Sequence, residues 1–133
     1  MPPYLIHSSV NGIIAQRLVR KICPSCVQVF EMDTEELTDL GLKINTNGQI
    51  KLKHGKGCGE CRNTGYKGRT GIFEIMPYSD GLKQLTTSKT SIESIRKKAV
   101  QEGLVLLRQN GIKKMLKGDT TYQEILNVTW DQI

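Results

Sequence analysis

Four cysteines are the residues of this chain best suited to chemistry, and they come as two matched pairs. Cys23-Pro24-Ser25-Cys26 and Cys58-Gly59-Glu60-Cys61 hold every thiol in the 133 residues, with residues 27–57 between them. Two intervening residues let both sulfurs of one turn reach a single ion while the turn's amide N–H groups point back at them. Two such knuckles complete a tetrahedral four-thiolate site with Zn–S of about 2.3 Å. Pro24 presets φ in the first knuckle, and Gly59 lets amides crowd the sulfurs of the second. Two disulfides are the plain alternative, but they suit secreted or very small scaffolds. A thioredoxin-like redox pair needs one CxxC at a helix start, not two matched turns. Structural Zn²⁺ on Cys23, Cys26, Cys58 and Cys61 is the expectation, with no coordination position left open for catalysis. His54 is expected to be a solvated loop residue outside the ligand set. His7, beside Ser8 and Ser9, is expected on a helix surface, with no acid–base partner in view.

Composition explains why a staple would help. The hydrophobic fraction is 38%, with two Phe and one Trp, so the core must be aliphatic and modest. No run approaches the eighteen or so apolar residues of a membrane span. The N-terminus lacks the basic region and uninterrupted apolar block of a secretory signal, which makes a cytoplasmic location the default. The formal charge is +6 and the pI near 9.2. Four thiolates around one Zn²⁺ carry −2 and would lower the net to +4, so part of the basic excess offsets the cluster. A stand-alone zinc ribbon that binds nucleic acid is the alternative function, with the lysine-bearing loop 43–57 lying along phosphates. Scattered aromatics and dispersed basic residues argue against it. A chaperone-like cysteine-rich module, suggested by Gly65 and Gly68, would want further CxxC repeats.

The elements that must position the thiols read as follows. A short helix runs from Tyr4 through Ile14, and "AQRLVRKIC" alternates as a strand into the first knuckle. Asp33 to Glu36 is a capping box for a short helix through Leu37 and Leu40, stopped by Gly41. Asn47-Gly48 predicts a hairpin with arms at 43–45 and 49–53. This insert has too little apolar content of its own, so the metal is expected to close it. A second strand starts at Tyr66, with Ile72, Glu74 and Met76 alternating against Phe73 and Ile75. Pairing it with the first strand brings Cys23 close to the residues after Cys61. The remainder is helical: residues 79–88; a helix capped by Thr90 to Glu93 with Ile92, Ile95 and Ala99 on one face; a helix bearing Leu104, Leu107, Ile112, Met115 and Leu116, closed by Gly118; and a last helix capped by Thr121 to Glu124. The fold class is α+β: a small antiparallel sheet with a tetracysteine zinc-binding insert, then a C-terminal helical bundle.

Three segments, "NGIIAQRLVRKICPSC", "GCGECRNTGYKGRTGIFEIM" and "IRKKAVQEG…LRQNGIKKMLKGDTTYQEILNVT", together resemble the C-terminal part of bacterial type II secretion and type IV pilus assembly ATPases of the GspE/PilB type. The resemblance runs from about Pro3 to Thr129. It implies a homo-hexameric cytoplasmic motor, peripheral to the inner membrane, that works with membrane-platform proteins. It implies a division into residues 1–22 as the end of the ATPase core, 23–61 as the zinc-binding insert, 62–78 as the returning strand and 79–133 as a helical subdomain. Cys23, Cys26, Cys58 and Cys61 match the family's metal ligands. On the same analogy Arg17, Arg20 and Arg69 serve subunit-interface or nucleotide-side electrostatics, against an equal expectation that they are solvated strand ends or thiolate-neutralising charges. The 133 residues contain no G-x-x-x-x-G-K-[ST] loop, so ATP and Mg²⁺ are expected only in a full-length parent, and this chain alone should not hydrolyse ATP.

Overall fold

The alternation that predicts the first strand continues further toward the N-terminus than the pattern suggests. In the computed structural model, which describes residues 3–87 and 91–131, helix α1 (Pro3–Ser9) is short and strand β1 (Gly12–Ile22) follows at once. Gly12, Ile13 and Ile14, expected in the helix, are therefore strand residues. Two adjacent β-branched side chains favour the extended backbone, and the Asn11 carbonyl is already taken by the Tyr78 N–H at 2.9 Å. β1 pairs with β4 (Tyr66–Pro77). The bond from Cys23 N–H to the Gly65 carbonyl at 3.0 Å closes the other end of the ladder, so the two strands run antiparallel.

Strand β2 (Val27–Asp33) leaves the first knuckle and pairs antiparallel with β3 (Gln49–Gly55), from Val27 opposite Gly55 to Asp33 opposite Gln49. The expected arm at 43–45 is not a strand. A seven-residue β2 offers a longer ladder, and it sets Phe30 directly opposite Leu52 on the covered face. Helix α2 (Thr34–Asp39) sits between the strands, with Asp33 as N-cap accepting from Glu35 N–H. It ends at Gly41 in the left-handed region (φ 96°), where the Leu42 N–H returns to the Leu37 carbonyl.

The described residues form two units. In one, residues 16–73 and 107–131 share a core of Val19, Leu37, Leu42, Leu52, Ile72, Leu107, Ile112, Met115 and Ile125. Leu37, Leu42 and Leu52 come from the segment between the knuckles. That segment therefore contributes to the apolar core, contrary to the expectation that its own apolar content is too small. Each fully buried leucine contributes on the order of 1.5–3 kcal/mol, through packing against α5 (Leu107–Lys117) and α6 (Tyr122–Val128). Spacing between the knuckles hid this, because the three leucines lie on different elements.

The other unit, residues 3–15 and 74–106, packs Tyr78, Leu82 and Ala99 with Ile6, Val10, Met76, Ile95 and Leu104. It contains α1, α3 (Asp80–Thr87) and α4 (Ile92–Gln101). Ser91 is the N-cap of α4, accepting from Ser94 N–H; Thr90 and Ser88 lie outside the described residues. Ile92, expected on the buried face, is 78% exposed at the first helical position, and Leu116 of α5 is likewise exposed. Leu104 precedes α5 instead of lying on it. His7 does sit on α1, but half-buried, with Nε2 2.9 Å from Thr86 Oγ1.

A charged clasp fastens β1 to α6. Glu124, 5% exposed, accepts from the Arg20 backbone N–H (2.9 Å), Nε (2.9 Å) and Nη2 (2.7 Å). The Arg20 guanidinium lies 4.1 Å from the Tyr66 ring centroid, and the Tyr66 hydroxyl meets Thr121 Oγ1 at 2.8 Å. Hydrogen bonding to Glu124, working against burial, raises the Arg20 pKa from its ordinary value. A second pair holds the end of the described chain: Arg17 donates to the Val128 carbonyl and, at 2.6 and 2.9 Å, to both oxygens of Asp131.

Two outcomes follow from these pairs. Glu124→Ala leaves the Arg20 donors without their buried acceptor and should lower the unfolding free energy by about 2 kcal/mol, read by urea denaturation. The Asp131 carboxyl, hydrogen-bonded by Arg17, is held below its ordinary 3.8. Its contribution is fully present above that value and lost as pH falls through the lower folded one. Asp131→Asn should therefore reduce the loss of stability measured below about pH 4, while leaving the neutral-pH slope unchanged.

Candidate metal centre

The two knuckles meet because the chain around them can approach itself closely. Gly55 ends β3 and Gly65 precedes β4, and their backbones lie against each other. A Cβ on Gly55 would stand 2.0 Å from the Gly65 carbonyl oxygen, and one on Gly65 would stand 2.5 Å from that of Gly55. Gly65 is also in the left-handed region (φ 83°). Neither position can carry a side chain without moving backbone. The Lys56 N–H to Cys26 carbonyl bond (3.0 Å) and the Cys23 N–H to Gly65 carbonyl bond (3.0 Å) then tie each knuckle to the other's flank. Between Cys61 and Gly65, Arg62 and Asn63 both adopt positive φ (55° and 63°), which tightens the second turn.

All four sulfurs lie within 4.8 Å of one another. Cys23 and Cys58 stand 3.8 Å apart, Cys26 and Cys61 3.8 Å, and Cys58 and Cys61 3.7 Å. Sulfurs ~2.3 Å from a central ion in a regular tetrahedron are about 3.8 Å apart, so the donor set fits a tetrathiolate-bound ion. Cys23 and Cys61 are buried and Cys26 and Cys58 half-buried; all four are free thiols. Amide N–H groups converge on the sulfurs from Gly57 to Cys26 (3.3 Å), and from Cys58 (3.3 Å) and Gly65 (3.2 Å) to Cys61. His54 is outside the set. It is a strand residue, half-buried, its ring edge-on to Phe30 with centroids 5.3 Å apart.

The amides and thiols around them shift Cys61 and Cys26 in opposite directions. At Cys61 burial pushes the thiol up, but the N–H groups of Gly65 and Cys58 and the thiols of Cys58 and Cys26 outweigh it and bring the pKa down to about 6. At Cys26 burial again pushes up; the Gly57 N–H opposes it, but the neighbouring thiols add to it, and the pKa rises to about 11. Negative charge is thus favoured at the Cys61 corner and resisted at Cys26. A divalent cation removes that resistance by supplying the opposite charge.

Of the three arginines singled out in the sequence, the structure places Arg17 against Asp131 and Arg20 against Glu124, while Arg69 is exposed on β4. They are not brought together with the thiols as ligands. Three participants escape a reading by spacing. Gly55 and Gly65 are visible only as glycine density, and Glu124 reads as the acid of a capping box. Thr121 does accept from Glu124 N–H (3.3 Å), but the Glu124 carboxylate is committed to Arg20.

Four convergent thiols on two knuckles beside an antiparallel ribbon form a tetracysteine cluster, a donor set that could hold a metal ion. The family is equally definite: a family model described as "Type II/IV secretion system protein" matches residues 1–127, and the chain belongs to that family. It is 38% identical over 128 residues to the type IV pilus assembly ATPase PilB of Myxococcus xanthus, covering 96% of this chain and 23% of that protein. It is 37% identical over 130 residues to the type II secretion system protein E of Pseudomonas aeruginosa, covering 98% and 25%. Against the type IV pilus assembly ATPase PilB of Thermus thermophilus, identity is 36% over 124 residues, covering 93% and 14%. The chain thus spans about a quarter or less of the length of these relatives.

The crossing of Gly55 over Gly65 can be tested directly. Gly65→Ala should weaken zinc retention in competition with a chromophoric chelator by at least about tenfold, because the Cys61 corner must shift. Gly59→Ala, where an added Cβ meets nothing within 4 Å, should leave retention close to wild type.

Proposed function

We propose that this chain is the zinc-bearing C-terminal portion of a hexameric ATPase that powers type II secretion or type IV pilus assembly. The observation that carries the reading is the cage of four sulfurs within 4.8 Å, in a chain matched to the secretion family over residues 1–127. The ion is structural, since four thiolates fill its tetrahedral shell. Residues 23–61 act as the insert that the ion closes at its base, residues 1–22 and 62–78 as the frame, and residues 79–133 as the helical part that follows. ATP and Mg²⁺ belong to the full-length parent, as does the homo-hexamer. The parent works in the cytoplasm, peripheral to the inner membrane, against platform proteins embedded there. In support, no described helix is long and apolar enough to cross a membrane. Arg17 and Arg20 act on this reading through the carboxylates they hold, and exposed Arg69 is the one offered to a neighbouring subunit.

The reading is tested by metal analysis and by activity of the parent. Purified chain should hold one zinc ion and show no ATPase activity. Zinc should be released progressively as pH falls, because protons compete for the thiolates, and Cys58→Ser should lose the metal at neutral pH. In the full-length parent the same substitution should depress secretion or pilus assembly. A chain that folds identically with and without chelator, or a parent indifferent to Cys58→Ser, would contradict the assignment.

A further inference from the structure

Asn-Gly occurs three times in the sequence, at Asn11-Gly12, Asn47-Gly48 and Asn110-Gly111. The dipeptide is chemically labile because glycine offers an unhindered backbone nitrogen to the preceding side-chain amide. Attack of that nitrogen on Cγ forms a C–N bond and closes a five-membered imide. The Cγ–Nδ2 bond breaks, and ammonia leaves with the proton from the backbone amide. Water then opens the ring at either carbonyl, giving an aspartyl or an isoaspartyl linkage. No oxidant or cofactor is required. The step does require a backbone free to bring nitrogen and Cγ together, and the fold treats the three pairs differently.

Asn110 is inside α5. Its Nδ2 donates to the Phe73 carbonyl at 2.6 Å, and Gly111 is buried against Ile125. Asn11 gives its carbonyl to the Tyr78 N–H at 2.9 Å, and Gly12 opens the paired strand β1, with the Met76 carbonyl 3.3 Å from where a Cβ would be. Asn47 and Gly48 are both exposed in the turn before β3. Gly48 is in the left-handed region (φ 101°) with nothing within 4 Å of a Cβ position, and among the described residues its N–H donates to no acceptor. We propose that Asn47 is a site of spontaneous deamidation, the one Asn-Gly pair that the native structure leaves free to cyclise.

The position gives the change a consequence. Asn47 borders a small polar recess with Glu35 and Asp39, so a new carboxylate there faces like charge. An isoaspartyl linkage also lengthens the main chain by one methylene, immediately before the Gly48 carbonyl that accepts from Thr34 N–H at 2.9 Å. That bond anchors the first turn of α2 to the start of β3, the strand that leads into Gly55 and the second knuckle.

The test is incubation of the full chain at mildly alkaline pH, folded and in urea, with peptide mapping for exchange of NH2 for OH and enzymatic methylation of isoaspartyl groups. In the folded protein Asn47 should convert on the order of tenfold faster than Asn11 or Asn110, which must await local opening. In urea the three should convert at comparable rates. Asn47→Gln should remove the early isoaspartyl signal and leave zinc content unchanged. Persistence of intact Asn47 in folded protein while the unfolded chain reacts, or equal rates at all three sites when folded, would overturn the proposal.

Discussion

Bringing four sulfurs within 4.8 Å is the constraint on which the cysteine-bearing unit depends. The protein achieves this with backbone rather than with side chains. Gly55 and Gly65 let two segments touch, and carbonyls and amides of Cys23, Cys26, Lys56 and Gly65 lock the two knuckles across one another. Three further amides aim at the sulfurs themselves. The cage is thus flanked on both sides by backbone hydrogen bonds.

The cysteine cluster and the apolar core have separate tasks. Leu37, Leu42 and Leu52 bury themselves with Ile112, Met115 and Ile125, so the segment between the knuckles is anchored at its far end by packing. Phe30 extends this toward Tyr122, with ring centroids 6.5 Å apart. The thiols anchor the near end, where β2 departs and β3 returns. A two-stranded sheet has little independent stability in water. Here both ends of the β2–β3 pair are fixed, one by a core shared with α5 and α6 and the other by the cysteines.

Much of the centre was legible because paired CxxC turns report a purely local geometry. The antiparallel meeting of β1 and β4, and hence of Cys23 with the segment after Cys61, was legible for a similar reason: each strand alternates along its own length. The β2–β3 pairing was not. Asn47-Gly48 marks a turn correctly, but the partner of β3 lies before α2 and not beside the turn. Helix and turn together span the connection, so a rule keyed to short loops chose the wrong arm. Ile13 and Ile14 show another limit. Their spacing suits a helix face, but β-branching and the pairing of the Asn11 carbonyl with Tyr78 decide for strand. Glu124 shows a third, since a residue at the third helical position can serve a cap or a distant cation, and sequence spacing does not distinguish them.

The Arg20–Glu124 clasp makes sense as a device for register rather than for stability. A buried ion pair is a weak source of net stability, because desolvation offsets much of the attraction. This carboxylate, however, takes both the backbone N–H and the guanidinium of a single residue, so it recognises one position of β1 and no other. Thr120 Oγ1 donates to the Arg20 carbonyl (2.8 Å), and the Ile22 N–H donates to the Asp119 carbonyl (3.0 Å), reading the same register from the same side. A slip of one residue would forfeit all of these bonds and turn Val19 out of the core. It would also displace Cys23, which follows Ile22 directly. A tetrathiolate site needs sulfurs placed to within a few tenths of an ångström, and a strand alone does not guarantee that. Three polar contacts from the α5–α6 segment do, and a charge buried at residue 124 is what makes the alternative registers costly.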